Sequence, residues 1–375
     1  MSELFPADRI ARAQAAAGAA DVDALLLTPG ADLRYLTGYA AMPLERLTCL
    51  VVPQVGDPTL VVPALEHPAA LASPASRLGL EIVAWPETAD PFALVAATLG
   101  SALGRPARRV AVGDRMWAEH VLALRDALPG ATQQLAGSIL RELRMRKAPA
   151  EIDALRRAGA AIDRVHRRMG EWLRPGRTEA EVGRDIADAI LAEGHATVDF
   201  TIVGSGPNSA SPHHELSDRV IERGDMVVVD IGGTTADGYC SDSTRTYLAG
   251  GTPDPDVARF YTVLQRAQDA GCAAVRPGVP AERVDAAARE IIDDAGYGEY
   301  FVHRTGHGIG LECHEEPWIV AGNTDELASG MTFSVEPGIY LPARHGARIE
   351  DIVVCTDDGV ERLNLVEREL AVLDT

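Results

Sequence analysis

The sequence predicts two domains, an α/β domain over residues 1–145 and an α+β domain over residues 146–375. The chain has 375 residues, more than the roughly 100–200 residues of an ordinary compact domain. Helical and extended patterns alternate up to about residue 140, whereas strands with embedded charged residues dominate after residue 194. The polar, proline-containing segment RMRKAPA at residues 144–150 separates the two patterns, which places the domain boundary near residue 145.

In the first domain, helices and strands are expected to alternate. An alanine-rich helix ends near Ala20, and the turn signal Gly56-Asp57-Pro58 joins two apolar runs. This alternation is typical of an α/β layered domain. The predicted strands are residues 24–28, 48–53, 59–63, 81–85 and 109–112, and the later helices are residues 92–103 and 115–128.

The second domain is expected to begin with helices and continue as a largely antiparallel sheet. A long amphipathic helix covers residues 151–173. The next helix begins at Thr178, whose capping box is completed by Glu181, and it ends at Gly194. The predicted strands are residues 197–203, 226–231, 243–248, 331–335 and 349–355, with helices at 255–275 and 280–295.

Charge and composition argue against a polyanionic partner. The formal net charge is −20, whereas nucleic-acid binding requires a basic stripe that displaces counterions. The one dense basic run, residues 141–147, is interrupted by Glu142, Leu143 and Met145, and it is predicted to be a solvated helix face or linker. We therefore expect no nucleic-acid partner.

Neither the N-terminus nor any other segment points to a membrane. The first residues lack a basic region followed by an apolar one, and no run approaches the ~20 apolar residues of a membrane span. The five cysteines are scattered and form no Cys-x-x-Cys pair. These features predict a soluble protein of the reducing cytoplasm.

Two aspartates indicate a metal site. Asp230 ends the apolar run MVVV, where an ionised carboxylate must be paired or must bind a cation. For a single such aspartate, closing the strand before a turn is the more common role. Asp242, however, begins the adjoining strand, and in a hairpin the two carboxylates are expected to stand opposite each other. Facing carboxylates repel unless cations lie between them.

Three further residues fit the same site. His307 lies between glycines, which leave room for a ligand, and it is one of three histidines within twelve positions, with His303 and His314. Glu336 is held at a strand end by the proline that follows it. Strand alternation turns Glu350 away from Asp351, so only one of these two acids can face the site.

The charges of this set suggest two cations. Four carboxylates and one neutral imidazole balance two divalent ions, and mostly oxygen ligands favour Mn²⁺ or Co²⁺ over thiolate-bound zinc. Cys240 shares a strand face with Asp242, although a lone cysteine in a strand is more often core packing.

The second half of the chain resembles the pita-bread metallopeptidases, which include Xaa-Pro dipeptidases, Xaa-Pro aminopeptidases and methionine aminopeptidases. The matching motifs are VDIG, YCSDSTRT, HRTGHGIGLECHE, FSVEPGIY and RIED, in family order over most of residues 150–375. The resemblance implies a creatinase/aminopeptidase-like catalytic domain. It implies metal ligands at Asp230, Asp242, His307, Glu336 and Glu350.

The resemblance also implies roles around the metals. His213, in the segment IVGSGPNSASPHH, matches a histidine that lines the substrate site, and His303 and His314 match histidines near the scissile bond. Arg348 matches an arginine that helps to hold substrate in proline-specific members. Glu336 is expected to accept a proton from the attacking water, while the three histidines stabilise the oxyanion or protonate the leaving nitrogen.

One departure concerns the first two ligands. Residues 231–241, eleven in number, separate Asp230 from Asp242, one more than the usual family spacing. We expect the loop at residues 233–238 to absorb the extra residue, and the pairing register there stays open.

The substrate assignment rests on the first domain as well. The motif DLRYLTGY at residues 32–39 resembles the N-terminal domain of prolidases and creatinases, which methionine aminopeptidases lack. We expect a homodimeric Xaa-Pro dipeptidase with two divalent ions, Mn²⁺ first and Co²⁺ or Zn²⁺ as alternatives, acting on peptides with proline at the second position. The rival functions are an Xaa-Pro aminopeptidase, a metal-free creatinase-like C–N hydrolase and a non-catalytic binding scaffold. The last two predict an eroded ligand set.

Overall fold

The computed structural model describes residues 4–373. The chain divides into two compact units, Met1–Arg144 and Met145–Thr375. Among the residues described, no helix combines the length and apolar character needed to cross a membrane.

The first unit is built on one six-stranded sheet. Its strands are β1 (Ala24–Leu27), β2 (Cys49–Pro53), β3 (Thr59–Pro63), β4 (Glu81–Trp85), β5 (Arg109–Val112) and β6 (Thr132–Leu135). Its helices are α1 (Asp8–Ala19), α2 (Ala31–Thr37), α3 (His67–Ala72), α4 (Pro91–Leu103), α5 (Ala118–Ala127) and α6 (Gly137–Met145). The strand order is β4-β3-β2-β1-β5-β6, with antiparallel pairs only at β1–β2 and β2–β3.

Apolar strand residues place the core of this unit between the sheet and two helices. Leu26, Val51 and Val61 of the sheet pack with Leu99 of α4 and Leu124 of α5, all of them buried. Branched side chains on both faces of β1 and β2 suit a sheet that helices cover. The predicted α/β layering therefore matches the structure.

Short elements were missed in the first unit. Helix α2 has only seven residues and ends at Gly38, whose φ of 71° provides the left-handed helix end. The helix predicted at residues 115–128 begins later, at Ala118, because Met116 N–H donates to Gly113 O and closes a turn first. Elements of one or two turns carry too little periodicity to be recognised.

The second unit combines four helices with two sheets and a hairpin. Its helices are α7 (Pro149–Arg167), α8 (Glu179–Ala192), α9 (Pro255–Ala274) and α10 (Ala281–Asp294). Its strands are β7 (His195–Ser205), β8 (Met226–Thr235), β9 (Cys240–Leu248), β10 (Gly306–Gly308), β11 (Glu315–Ile319), β12 (Thr332–Val335), β13 (Gly338–Leu341), β14 (His345–Arg348), β15 (Asp351–Cys355), β16 (Val360–Arg362) and β17 (Ala371–Val372).

The two sheets are mainly antiparallel, as predicted. One has the order β17-β9-β8-β7 and the other β11-β10-β12-β15-β16, while β13 and β14 form a separate hairpin. Helices α7 and α8 bury Ile162 and Ile186 against Val229 of the first sheet. Backbone bonds join the sheets where β9 passes β15, since Glu350 N–H donates to Thr244 O over 3.1 Å.

Both ends predicted for helix α7 were wrong, and the strand predicted at residues 349–355 begins only at Asp351. Helix α7 begins at Pro149, not at residue 151, because proline fits the first helical turn and Glu151 accepts a hydrogen bond from Ala148 N–H. It ends at Arg167, before a 3₁₀ turn at Met169–Glu171, and not at residue 173.

The basic run at residues 141–147 is also less solvated than predicted. Lys147 Nζ lies 2.6 Å from Glu315 Oε1, and the two side chains are 1% and 7% exposed. A buried carboxylate partner removes the desolvation problem that a lone lysine would face. Nothing in the local sequence announces a partner so distant along the chain.

Candidate metal centre

Five predicted ligands converge where the two sheets meet. Asp230 lies on β8 and Asp242 on β9 of one sheet. His307 lies on β10 of the other sheet, Glu336 follows β12, and Glu350 directly precedes β15. The strand pairing explains the convergence, because β10, β12 and β15 are neighbours and β9 joins β15 through its backbone.

Ligand atoms of these residues form overlapping groups of three. Within each group, one ligand atom per residue lies within 4.8 Å of the others. The groups are Asp230, Asp242 and Glu350; His307, Glu336 and Glu350; and Asp242, His307 and His314. Glu350 belongs to the first two groups, so its carboxylate would contribute to both sets of ligands.

The register of the β8–β9 hairpin differs from the prediction. Asp230 pairs with Thr244 and Asp242 pairs with Gly232, so the two aspartates are diagonal neighbours, not directly opposed. They still share one sheet face, because Asp242 and Thr244 are two residues apart. The β8–β9 pairing is regular, and residues 233–235, predicted as part of the loop, belong to β8 because they pair across the hairpin. The turn follows, where Gly238 N–H donates to Thr235 O, and the location of the extra residue stays a prediction.

Alternation separates Glu350 from Asp351. Glu350 Oε2 accepts a hydrogen bond from the Thr244 hydroxyl over 2.7 Å, on the side of the candidate centre. Asp351 Oδ1 instead accepts from Arg245 over 2.7 Å, and its Oδ2 accepts from Gln268 over 3.0 Å. Only Glu350 faces the other acids.

The acids are buried and crowd one another. Burial raises the pKa of Asp242 well above its ordinary value, and the charges of Glu350, Asp230 and Glu336 raise it further. Burial, with the charges of Glu336 and Asp230, likewise raises the pKa of Glu350. Burial alone would raise the pKa of Glu336 too, but the hydrogen bond and charge of His307 lower it to about 2.

Hydrogen bonds within the described protein do not satisfy all the carboxylate oxygens of this centre. Asp230 Oδ1 and Glu350 Oε1 are buried and have no hydrogen-bond partner within residues 4–373. Burying an unpartnered carboxylate oxygen is costly, and a divalent cation satisfies several such oxygens at once. The donor set of carboxylate oxygens and one imidazole therefore fits divalent metal ions.

His307 is held with one nitrogen towards the acids. Its Nδ1 lies 3.2 Å from Gly308 O, a contact that favours a proton on Nδ1. Its Nε2 lies 3.2 Å from Glu336 Oε1 and 3.6 Å from Asp242 Oδ2. Nε2 thus points into the acidic group, where it donates to Glu336 when protonated and would offer its lone pair to a bound cation.

The structure explains the two glycines that flank His307 in a different way from the sequence. A Cβ atom on Gly306 would overlap the carbonyl oxygen of Ser334, and one on Gly308 would overlap that of Glu316. These glycines let the neighbouring strands approach β10 closely. They place His307 in the sheet, which goes beyond leaving space for a ligand.

The three other histidines differ in exposure. His303 is half-buried, with Nδ1 2.7 Å from Arg304 O and Nε2 2.9 Å from the Tyr340 hydroxyl. His213 and His314 are exposed, and the ring of His314 lies edge-on to His307 with centroids 4.1 Å apart. Although part of the His314 side chain is exposed, partial desolvation of its ring and the neighbouring charge of His307 lower its pKa to about 4, so its imidazole is neutral near pH 7.

Arg348 donates hydrogen bonds to Asp230 and to two hydroxyl groups beside the candidate centre. Its Nη2 donates to Asp230 Oδ2 over 2.5 Å, its Nη1 to the Tyr340 hydroxyl over 2.7 Å, and its Nε to the Thr244 hydroxyl over 3.1 Å. The side chain is only 3% exposed. These contacts make Arg348 a support for Asp230 and Tyr340, and its predicted role in holding substrate stays a prediction.

Sequence reasoning missed three supporting residues. Thr244 lies in the motif YCSDSTRT and Tyr340 in the motif FSVEPGIY, but the sequence alone indicated no role for the hydroxyl group of either residue. Glu179 is fully buried and accepts hydrogen bonds from Ser205, Asn208, Ser217 and His214, which holds the segment that carries His213. Its position after the Thr178 cap suggested only a helix start, because the partners lie 26–38 residues away.

Cys240 is buried, but it is not packed as an isolated core residue. Its thiol lies near Cys313 and Asp199.

Two protein-family models match the chain. The model of metallopeptidase family M24 matches residues 153–357, and that of the creatinase/prolidase N-terminal domain matches residues 9–146. Together they confirm the predicted fold class, an α/β N-terminal domain followed by an α+β pita-bread catalytic domain.

Individual proteins resemble the chain over nearly its whole length. A crystal structure of dipeptidase PepE from Mycobacterium ulcerans is 57% identical, with a TM-score of 0.92 and 98% of each chain covered. A prolidase structure from Thermococcus sibiricus is 38% identical, with a TM-score of 0.89, and covers 97% of this chain and 98% of its own. The Xaa-Pro dipeptidase of Lactobacillus helveticus is 36% identical over 91% of this chain and 92% of the relative.

Proposed function

The chain belongs to metallopeptidase family M24, and we propose that it is an Xaa-Pro dipeptidase that works with two divalent cations. The observation that carries this proposal is the crowded acidic group in which Asp230 Oδ1 and Glu350 Oε1 have no partner among the described residues. Such a group is stable only with cations between its members.

We assign the cations to two overlapping sets of ligands. Asp230, Asp242 and Glu350 would hold one ion, and His307, Glu336 and Glu350 would hold the other. Mostly oxygen ligands with a single imidazole favour Mn²⁺, with Co²⁺ or Zn²⁺ as alternatives. Cations bound there would act as Lewis acids and lower the pKa of a water molecule towards neutrality.

The residues of the chain supply the proton transfers. Glu336 is the proposed acceptor for the proton of the attacking water, since it is ionised near pH 7 and Ser334 Oγ–H orients its Oε1 over 3.0 Å. Thr244 steadies Glu350, and Arg348 steadies Asp230, in the same way. These contacts fix carboxylate orientation before substrate arrives.

The three histidines near the centre differ in their hydrogen-bond partners, which suggests different roles. Both ring nitrogens of His303 face protein oxygens, with Arg304 O on one side and the Tyr340 hydroxyl on the other. The exposed His213 and His314 are therefore the better candidates to contact the scissile bond, stabilising the oxyanion or protonating the leaving nitrogen. His303 would act in concert with Tyr340 to shape the pocket.

Cleavage before proline is supported by the related proteins. The Thermococcus sibiricus relative is named a prolidase and the Lactobacillus helveticus relative an Xaa-Pro dipeptidase. A second candidate is an Xaa-Pro aminopeptidase, since a structure named X-Pro aminopeptidase from Thermotoga maritima is 29% identical, with a TM-score of 0.82. A metal-free creatinase-like hydrolase or a non-catalytic scaffold would not need five filled ligand positions.

Hydrolysis of matched peptides tests the proposal. The chain is freed of metal by chelation and then supplied with Mn²⁺, Co²⁺ or Zn²⁺. Expected is cleavage of Xaa-Pro dipeptides in preference to tripeptides that begin with Xaa-Pro, and no cleavage of control dipeptides with alanine in place of proline. Preference for the tripeptide would select the aminopeptidase. Full activity after thorough metal removal would contradict the two-cation centre.

Assembly and compartment belong to the same proposal. We propose a homodimer, as the resemblance implies, which sedimentation equilibrium of the purified chain tests directly. Five free cysteines, four of them buried, suit a reducing compartment, and the proposed location is the cytoplasm.

A further inference from the structure

Two thiols and a carboxylate from separate elements meet beside the candidate centre. Asp199 lies on β7, Cys240 begins β9, and Cys313 lies between β10 and β11. One ligand atom from each lies within 4.8 Å of the other two. We propose that these three side chains form a separate site for a thiophilic divalent cation, with Zn²⁺ as its occupant.

The spacing of the ligand atoms fits a tetrahedral ion. Zinc binds sulfur at about 2.3 Å and carboxylate oxygen at about 2.1 Å, which separates sulfur from oxygen by about 3.6 Å in a tetrahedron. Cys313 Sγ lies 3.4 Å from Asp199 Oδ2. Three protein ligands leave a fourth position for water.

Neighbouring hydroxyls hold the carboxylate in place. Thr234 Oγ1–H donates to Asp199 Oδ2 over 2.6 Å, and Thr197 Oγ1–H donates to Asp199 Oδ1 over 3.0 Å. The Thr234 hydroxyl also lies 3.6 Å from Cys240 Sγ. Hydrogen bonds of this kind orient metal ligands and raise the affinity of a site.

Access and burial suit a binding site. Asp199 is exposed and Cys313 is half-buried, so a cation can reach both from solvent, whereas Cys240 closes the inner side. The other cysteines, Cys49, Cys272 and Cys355, are buried, and within residues 4–373 none of them belongs to a comparable group.

The ligand chemistry distinguishes this site from the candidate two-cation centre. The centre offers carboxylates and an imidazole, whereas two of the three ligands here are sulfur, which selects softer cations. Binding breaks two S–H bonds, releases two protons to solvent and forms two metal–sulfur bonds and one metal–oxygen bond. No atom is oxidised or reduced.

The site lies close in sequence to two residues of the candidate two-cation centre. Cys240 lies two residues, about 7 Å along β9, from Asp242. Cys313 directly precedes His314, whose ring contacts His307. A bound cation would therefore tie the segment that carries His314 to β9.

Cadmium titration tests the site, because cadmium–thiolate bonds absorb in the ultraviolet and carboxylate or imidazole ligands give no such band. The protein is loaded with Mn²⁺, kept reduced with a phosphine, and titrated with Cd²⁺. We expect the band to saturate at one equivalent in the wild type. We expect at least a tenfold weaker signal or affinity in Cys313→Ser and in Asp199→Asn. Zn²⁺ should displace the band with the same stoichiometry.

The control variant is Cys272→Ala, which removes a buried thiol outside the site and should leave the band unchanged. A wild type without a band at one equivalent would overturn the proposal, and so would an undiminished band in Cys313→Ser. Cys313 is half-buried, so its serine variant should fold, and circular dichroism checks this. The band depends on thiolates alone, so the result stands whether or not the two-cation proposal holds.

Discussion

Glu350 and Asp351 are neighbours in sequence but belong to two different buried charge clusters. Asp351 lies in what we call the paired cluster, with Arg245 and Gln268. There, the five N–H groups of Arg245 donate to Asp351 and to the carbonyls of Thr244, Glu350, Val366 and Glu367. Both carboxylate oxygens of Asp351 accept hydrogen bonds as well.

Glu350 lies in the acidic cluster, which consists of the five proposed metal ligands. Among the described residues, Arg348 is the one arginine that contacts this cluster with a short ion pair, and it reaches Asp230 alone. Two buried carboxylate oxygens lack partners among the described residues, and crowding raises the pKa of Asp242 and of Glu350.

The contrast shows how one strand can serve stability and function at once. Consecutive side chains point to opposite sides where Glu350 leads into β15, so Asp351 lies among cationic and amide donors, whereas Glu350 lies among other acids. Removing one partner of a buried ion pair destabilises the folded protein, because the other charge stays buried without a counterion. An incomplete acidic cluster opposes folding until cations bind, and it couples stability to metal.

The largest expected effect is on turnover in Asp242→Asn. The amide cannot replace an ionised ligand, so kcat/KM for an Xaa-Pro dipeptide should fall by at least about a thousandfold. The metal-free variant should nevertheless be more stable than the metal-free wild type, because one repelling charge is gone. Peptide hydrolysis and urea unfolding with a chelator present measure the two effects.

The control for this substitution is Asp237→Asn in the turn of the same hairpin, where Asp237 pairs with Arg157 at the surface. It should leave turnover within about twofold, since an exposed pair contributes little. A near-normal rate in Asp242→Asn would show that Asp242 is not a ligand.

The next effect in size is a loss of stability in Asp351→Asn. Removing the carboxylate leaves Arg245, whose side chain is 2% exposed, without its buried counterion. The free energy of unfolding should fall by about 3–5 kcal/mol, by the same amount with and without metal. Urea unfolding in both conditions measures it.

Asp269→Asn is the matched control, because Asp269 pairs with Arg362 and Arg368 but is 57% exposed. Its effect should stay below about 1 kcal/mol. If Asp351→Asn were as mild, or if its effect depended on metal, the two clusters would not differ in the way proposed.

Much of the fold follows from local sequence. The predicted strands at residues 59–63, 81–85 and 109–112 match β3, β4 and β5 residue for residue, because apolar runs between turn signals are local features. The capping box at Thr178 is also present, with Thr178 Oγ1 accepting from Glu181 N–H. Short elements such as α2, and the buried partner of Lys147, depend on packing that a local pattern does not encode.

The candidate site was predictable for a different reason. Asp230, Asp242, His307, Glu336 and Glu350 stand in motifs whose order matches a family, so their convergence did not have to be derived from pairing. The diagonal register of Asp230 and Asp242 was missed, because a hairpin register depends on the geometry of the turn, which the motifs do not encode. Tyr340 and Glu179 were missed because their roles depend on contacts between distant segments.

The smallest expected effect concerns Asp23. It tests whether hydrogen-bond partners, more than burial, determine how a carboxylate affects the free energy of unfolding. Asp23 is only 5% exposed, like the acids of the centre, but it accepts from Arg105 and from the N–H groups of Arg108 and Arg109. The Arg105 hydrogen bond is the largest of the effects that lower its pKa from 3.8 to about 2.

Because the folded pKa is depressed, Asp23 contributes stability that is full well above pH 4 and is lost as the pH falls through 2. The contribution is about 2 kcal/mol at pH 7 and about 1 kcal/mol less at pH 3. The stability difference between wild type and Asp23→Asn should therefore shrink by about 1 kcal/mol between pH 7 and pH 3, measured by urea unfolding. The neighbouring Asp21, 83% exposed, provides the control Asp21→Asn, whose difference should stay constant. A constant difference for Asp23→Asn would mean that the hydrogen-bond donors around Asp23 do not favour its ionised form, and that partners do not separate the two kinds of carboxylate.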